Sequence, residues 1–308
     1  MKLKDIFPLL KETFQEWQED KSSRLAAALA YYTVFSLAPL LVIAIAIAGA
    51  IFGEEAARGE IVGQIQGLVG NQGAEAIEAA INNANKPDTS SVASLISIVV
   101  LFFGASGVFA QLQDALNTIW EVQAKPGRGV KHFIKKRLLS FSAVFGIGFL
   151  LLVSLLVSAV LSGLSHYLSN ILPGGDFIWQ VFNFVVSFAV ITSLFAVIYK
   201  YLPDVKIEWG DVWTGAIITS LLFTIGKFAL GLYLGRGSFG STYGAAGSLI
   251  VLLAWVYYSA QILFFGAEFT QVYARRFGST IVPDDNAMRV TEEARGKQGM
   301  PRNRRRNK

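Results

Sequence analysis

The sequence predicts an all-α polytopic membrane protein: six transmembrane helices, with an amphipathic helical outer connection between spans 1 and 2. Three observations lead there. Hydrophobic residues make up 53% of the 308 and charged residues only 16%, where soluble domains carry about 25% charged. The apolar residues gather into six runs, each longer than the ~9–11 residues of a transmembrane strand and none alternating as a barrel strand does. Lys and Arg, finally, collect at the ends of those runs with a strong bias to one side.

Taken in chain order, residues 1–24 form a cytoplasmic amphipathic lead-in. Ile6, Phe7, Leu9, Leu10, Phe14 and Trp17 are spaced among Lys, Glu and Asp. An interfacial helix on the inner leaflet and a soluble helix packed on the bundle both fit that pattern. Span one, Leu25–Phe52, contains Pro39, which removes a backbone hydrogen bond and predicts a kink. The connection 53–90 is long yet patterned. Ile61, Ile65, Leu68, Val69, Ala74, Ile77, Ala80 and Ile81 recur at three- and four-residue steps, which predicts one or two amphipathic helices broken at Gly70–Gly73. Such helices would either cap the outer mouth of the bundle or lie on its surface.

Span two, Ser91–Trp120, holds Gly104 and Gly107, small residues that let helices approach closely. Span three, Leu138–Leu164, carries Ser154, Ser158 and Ser162 as a hydroxyl stripe directed at another helix. Spans four to six are Ile178–Ile198, Val212–Leu234 and Gly247–Tyr273. The transmembrane domain thus covers 25–276. Residues 277–308 read as a disordered basic cytoplasmic tail, because the closing PRNRRRNK has no apolar side chain to bury.

Orientation follows from Lys and Arg near the span ends. The lead-in carries Lys2, Lys4, Lys11, Lys21 and Arg24; the loop after span two carries Lys125, Arg128, Lys131, Lys135, Lys136 and Arg137; the tail begins with Arg275 and Arg276. With six spans all three stretches share one side. The first connection on the other side has only Arg58 and Lys86 against Glu54, Glu55, Glu60, Glu75, Glu78 and Asp88. The expectation is a multi-pass protein of the bacterial inner membrane with both termini in the cytoplasm. A cleaved signal peptide is not expected, since the first apolar core starts near Leu25 and outruns a 7–15-residue h-region.

Most catalytic constellations are missing. The only histidines are His132 and His166, and there is no cysteine. No HExxH helix, G-x-S-x-G elbow or G-x-x-x-x-G-K-[ST] phosphate loop occurs. Gly235-Arg236-Gly237-Ser238-Phe239-Gly240 fits G-x-G-x-x-G by letters but joins two membrane helices, where a dinucleotide loop follows a strand. The sequence therefore assigns no catalytic residue, no metal ligand and no cofactor.

What remains is polar residues inside apolar helices, which are costly and usually face protein or water. At ~1.5 Å per residue, Lys227 lies about 24 Å beyond Asp211, toward the outer side, whereas Glu268 and Asp114 lie about 10 Å from the inner face. A direct Lys227–Glu268 pair is therefore not expected. Arg24, Gln111, Asp114, Glu121, Glu268 and Gln271 are grouped instead as an inner polar cluster, which serves either a substrate or helix packing. Lys227, Tyr257 and Tyr258 form an outer-half site in which Lys227 either snorkels to the interface or meets an anionic headgroup.

Four segments carry a family resemblance: AAALAYYTVFSLAPLLV (26–42), LQDALNTIWEV (112–122), YLPDVKIEWGDVWTGA (201–216) and STYGAAGSLIVLLAWVYYSAQILFFGAEFTQVYAR (241–275). Together they resemble the YihY/BrkB family of bacterial inner-membrane proteins, from about Asp20 to Phe277. The resemblance implies six membrane helices and brings no catalytic residues. Members have carried a ribonuclease BN label, for which this sequence offers no metal-ligand cluster. Positions matching the motif are Pro39, Asn117, Pro203, Asp204, Asp211, Gly215, Tyr243, Gly244, Gly247, Trp255, Tyr257, Ser259, Gly266, Ala267 and Glu268.

The functional expectation is a transporter or translocation path for a lipid or other amphiphilic envelope component. The alternatives are a non-transporting scaffold that recruits partners through its basic inner surface and, behind it, a membrane-associated ribonuclease. Expected partners are membrane lipids, with the basic loop 125–137 and the tail 302–308 attracted to anionic headgroups. No nucleic acid partner is expected.

Overall fold

The computed structural model describes residues 3–84, 107–125, 175–236, 246–278 and 280–300. Its helices are α1 (Leu3–Glu19), α2 (Ser22–Phe52), α3 (Glu54–Ala84), α4 (107–119), α5 (Gly175–Tyr201), α6 (Trp209–Arg236), α7 (Ala246–Phe277) and α8 (Glu292–Lys297). Four of them contain stretches long and apolar enough to cross a bilayer: Ser22–Ala50, Phe184–Tyr201, Trp209–Leu230 and Leu249–Phe277. These coincide with expected spans one, four, five and six. Of span two only 107–119 is described, and span three, with its serine stripe, lies outside the described residues, as do Gly104, His132 and His166.

The helix α7 is the centre of the bundle, with α1, α2, α3 and α6 all packed on it. Its contact with α6 is close because small residues occupy both sides. Each helix carries a Gly-x-x-x-Thr step, Gly215–Thr219 and Gly266–Thr270, and the two run in opposite senses. A Cβ on Gly215 would sit 1.7 Å from Thr270 Oγ1, and a Cβ on Gly266 only 1.9 Å from Thr219 Oγ1. Both threonine hydroxyls donate back into their own helices, Thr219 to Gly215 O at 2.8 Å and Thr270 to Gly266 O at 2.7 Å. That leaves no hydroxyl unsatisfied where water is absent. Tyr199 of α5 joins the clasp, its Oη donating to Leu263 O at 2.7 Å and lying 2.9 Å from Thr219 Oγ1.

The opposite face of α6 presents Trp213, Ile217, Leu221, Ile225 and Phe228, all exposed, at three- and four-residue steps. In water such a stripe would be an aggregation hazard; against lipid tails it is the expected outer surface of a membrane helix.

Gly53, at φ +88°, turns the chain out of α2 straight into α3. The backbone is helical throughout Glu54–Ala84, yet Arg58 donates to Glu78 at 3.4 Å and also reaches Asn82. In a straight helix residues twenty apart stand about 30 Å from each other, so the chain doubles back between Arg58 and Glu78. The interval contains Gly70 and Gly73, where the sequence places a break. Ile61, Ile77 and Ile81 then fall together on Leu41, Ile45 and Leu252 as a second core.

At the other end of the bundle the expectation of a disordered tail from 277 fails. Val282–Pro283 (β3) pairs antiparallel with Val205–Lys206 (β2), and Ala287–Arg289 (β4) pairs antiparallel with Val122–Ala124 (β1). The α8 helix follows, capped by Thr291, whose side chain accepts from Ala294 N at 3.2 Å. This stretch orders because it does bury side chains: Ala287, Arg295 and Met300 are each at most 6% exposed. Composition of the closing residues misled because the preceding ones carry the contacts. Residues 301–308 lie outside the described residues.

Candidate functional site

The end of α1 and the C-terminal segment 280–300 meet at one end of the bundle, and the polar interior is there. Two reversals build it. Lys21, between α1 and α2, and Glu121, after α4, hold left-handed φ values of 52° and 56°. Non-glycine residues adopt this region at a cost of about 1–2 kcal/mol each, so surrounding contacts must hold them. The first reversal sets Asp20 and Ser22 against α7. The second turns the chain from α4 into β1, which pairs with β4 and positions α8 above.

Glu268 is fully buried on α7 and accepts from Ser22 Oγ at 3.1 Å through Oε1. Its Oε2 has no hydrogen-bond partner. The charged groups that act on it are Asp20, Glu16 and Glu121. Asp20, 1% exposed, receives Arg295 Nη2 at 2.5 Å, and Arg295 Nη1 stands 3.7 Å from Glu121. Arg275 bonds Glu12 at 2.7 Å and Glu16 at 2.8 Å, while Arg276 pairs with the other Glu12 oxygen. Burial pushes the Asp20 carboxyl up to about 7 from an ordinary 3.8; Arg295 pulls it down, and Glu121 and Glu16 push it up further.

Of the six residues grouped from sequence, three belong to this region: Glu121, Glu268 and Gln271, the last 4% exposed with its Oε1 unpartnered. The other three do not join them. Arg24 and Asp114 are exposed and Gln111 is half-buried. Helical phase explains the miss: Arg24 and Asp114 lie on exposed faces of their helices. The residues that replace them, Glu16, Asp20 and Arg295, lie in segments that sequence assigned to the lead-in and the tail.

A cavity of ≈ 370 Å³ adjoins the cluster, lined on the bundle side by Trp120, Glu121, Gln271 and Arg275 and roofed by Thr280, Ile281, Pro283 and Arg289. Next to it Asp204 ties three segments. It accepts from Gln113 Nε2 at 3.0 Å and Asn117 Nδ2 at 2.7 Å, its own N–H donates to Asn117 Oδ1, and its carbonyl accepts from Asp284 N. The motif positions Asn117, Pro203 and Asp204 are thus a structural joint. Asp211 and Gly278 are another, since a Cβ on Gly278 would meet the Asp211 carboxylate at 2.2 Å.

Neither of the two cavities among the described residues is lined by Lys227, Tyr257 or Tyr258. Lys227 is exposed beside Phe228 on the outward face of α6, which suits a side chain that runs along lipid to the interface. Tyr257 is exposed, whereas Tyr258 packs over Gly226, where a Cβ would stand 2.7 Å from its ring. A second cavity, of ≈ 360 Å³, opens at this end between α2 and α3, lined by Val42, Ile45, Ala46, Gly49, Ala50, Glu54, Arg58 and Ile81.

Residues 13–291 match the family model described as virulence factor BrkB. The chain belongs to that family. Among curated relatives, a UPF0761 membrane protein of Psychrobacter sp. (strain PRwf-1) is 26% identical over 265 residues, covering 85% of this chain and 47% of its own length. One from Verminephrobacter eiseniae is 28% identical, over 83% of this chain and 60% of its own. The chain therefore spans about half to three-fifths of these BrkB-family relatives. A ribonuclease-like protein of Bacillus subtilis, YfkH, is 23% identical over 90% of this chain and 98% of its own length. No solved structure matches the chain. This member of the BrkB family is accordingly an integral membrane protein built largely of apolar helices, similar to bacterial membrane proteins.

Proposed function

We propose that the chain is a multi-pass protein of the bacterial inner membrane that provides a translocation path for a lipid or other amphiphilic envelope component. The observation that carries this reading is the cavity between α2 and α3. Its walls are Val42, Ile45, Ala46, Ala50 and Ile81, and Glu54 and Arg58 are the charged residues lining it. An apolar wall with one fixed cation and one fixed anion suits a molecule with a hydrocarbon chain and a charged head. Arg58 is held in place by Glu78 and Asn82 of the returning arm of α3. Movement of that arm would open or close the cavity without disturbing the α6–α7 clasp. The inner-membrane placement with cytoplasmic termini is supported by the Lys/Arg bias and by the contact of α1 with segment 280–300 at one end of the bundle.

The test is movement of a headgroup-labelled phospholipid across liposomes containing the purified protein. Ala46→Trp, which fills the cavity, and Arg58→Ala should each slow that movement, while Phe228→Ala on the outward face of α6 should leave it unchanged. Equal rates in wild type and in both cavity variants would remove this cavity from the path, and no movement in wild type would remove the translocation reading.

A further inference from the structure

The cluster where α1 meets the C-terminal segment crowds carboxyl groups together. Among the described residues, the buried or half-buried Glu16, Asp20, Glu121 and Glu268 gather around the guanidinium groups of Arg275 and Arg295. Several described elements contribute: α1 supplies Glu16 and Asp20, the turn after α4 supplies Glu121, α7 supplies Glu268 and Arg275, and α8 supplies Arg295. Glu12 and Arg276 pair at the margin. From α6, Asp211 lies against Gly278, past the end of α7. Crowded carboxyls removed from water do not all ionise; they share protons in coupled steps.

Two further atoms lack a donor. Glu268 Oε2 and Gln271 Oε1 are buried acceptors, one helical turn apart on α7, with no hydrogen-bond partner. A proton carried by a carboxyl supplies what such acceptors lack. A metal ion is the alternative source of positive charge, but among the described residues no three His, Cys, Asp or Glu side chains are grouped to hold one. The 370 Å³ cavity gives the proton a route, because Glu121 and Gln271 line it and its rim residues Thr280 and Arg289 are exposed.

We infer that this cluster is a proton-binding site, and that its occupancy sets whether the C-terminal segment 280–300 is seated on the bundle. The inference does not depend on the translocation reading. The segment is a latch: β3 and β4 clip it to the loops after α5 and α4, and Arg295 inserts beside Asp20. When the latch lifts, Asp20 returns to water, which solvates its carboxylate and screens the repulsion from Glu16 and Glu121. Burial outweighs the pull of Arg295 on Asp20, so the seated form binds the proton more tightly than the lifted form. Linkage then fixes the sign: acid seats the latch and rising pH lifts it.

The chain has no cysteine, so a Gln18→Cys/Gln298→Cys pair carries the only spin labels in the full-length protein, reconstituted in lipid nanodiscs. The distance distribution across the latch is read as a function of pH. The lifted-to-seated ratio should rise with pH, by at most about tenfold per unit for one proton. Asp20→Asn in the labelled background should flatten that dependence. Where Asp20→Asn does not fold, Glu121→Gln should shift its midpoint. A distribution unchanged by pH in the otherwise wild-type protein would overturn the inference. So would a dependence that survives unaltered in Asp20→Asn, or in Glu121→Gln where that stands in.

Discussion

Substituting Gly215 by alanine tests the α6–α7 clasp directly. In an unobstructed helix this change stabilises, by roughly 0.5–1 kcal/mol, because alanine surrenders less backbone entropy on folding. Here the new Cβ would lie 1.7 Å from Thr270 Oγ1, half the 3.4 Å of ordinary contact, and 2.8 Å from Thr270 Cβ. Either the helices part by more than an ångström or Thr270 rotates and abandons its 2.7 Å bond to Gly266 O. Overpacking of this kind costs about 1–3 kcal/mol, and a hydrogen bond inside a membrane bundle about 0.6 kcal/mol. Less the entropic gain, the expected net loss is about 1–3 kcal/mol, opposite in sign to the unobstructed case. Reversible unfolding of the purified protein in mixed micelles, followed by circular dichroism, measures it. Gly63→Ala, where nothing lies within 4 Å of the added Cβ, is the control and should stabilise. Adding Thr270→Ala to Gly215→Ala should recover much of the loss. A Gly215→Ala protein as stable as wild type, or a double variant no better than the single, would refute the clasp.

Other consequences can be checked in the same assay. Asp204→Ala removes the acceptor of Gln113 and Asn117, both buried, and should cost about 2–4 kcal/mol through the donors left unpaired. Arg295→Met strands Asp20 without its cation and should cost about 3–5 kcal/mol, much of which Asp20→Leu in the same chain should restore; an additive double variant would deny the pairing. For pH, the Asp20 carboxyl is raised from 3.8 to about 7 in the folded state. Its penalty is absent below about 4 and complete above about 7, so wild-type stability should fall across that window and Asp20→Asn should not follow it. Thr219→Val deletes the hydroxyl beside Tyr199 Oη, but Tyr199 keeps Leu263 O, so the loss should stay near 1 kcal/mol.

The sequence by itself determined the class of the protein. Long apolar runs can satisfy their backbone in lipid only as helices, so the spans at 25–52, 178–198, 212–234 and 247–273 were legible from composition and length. The helical character of 54–84 was legible too, from apolar residues at three- and four-residue steps, whereas its doubling back was not. What sequence could not supply was rotation about each helix axis and pairing between distant segments. Arg24 and Asp114 fall on exposed helix faces, whereas Asp20 and Glu16 looked like ordinary charges of an amphipathic lead-in. Arg295 belonged to a stretch whose net composition suggested disorder, and only strand pairing with 122–124 and 205–206 carries it to Asp20. Gly215 and Gly266 entered only as positions of the family motif, and that each receives the other helix's threonine depends on how α6 and α7 cross. Backbone satisfaction in lipid is local and therefore written in short stretches of sequence; the charge cluster and the clasp depend on contacts between residues far apart in the chain, and those the tertiary structure decided.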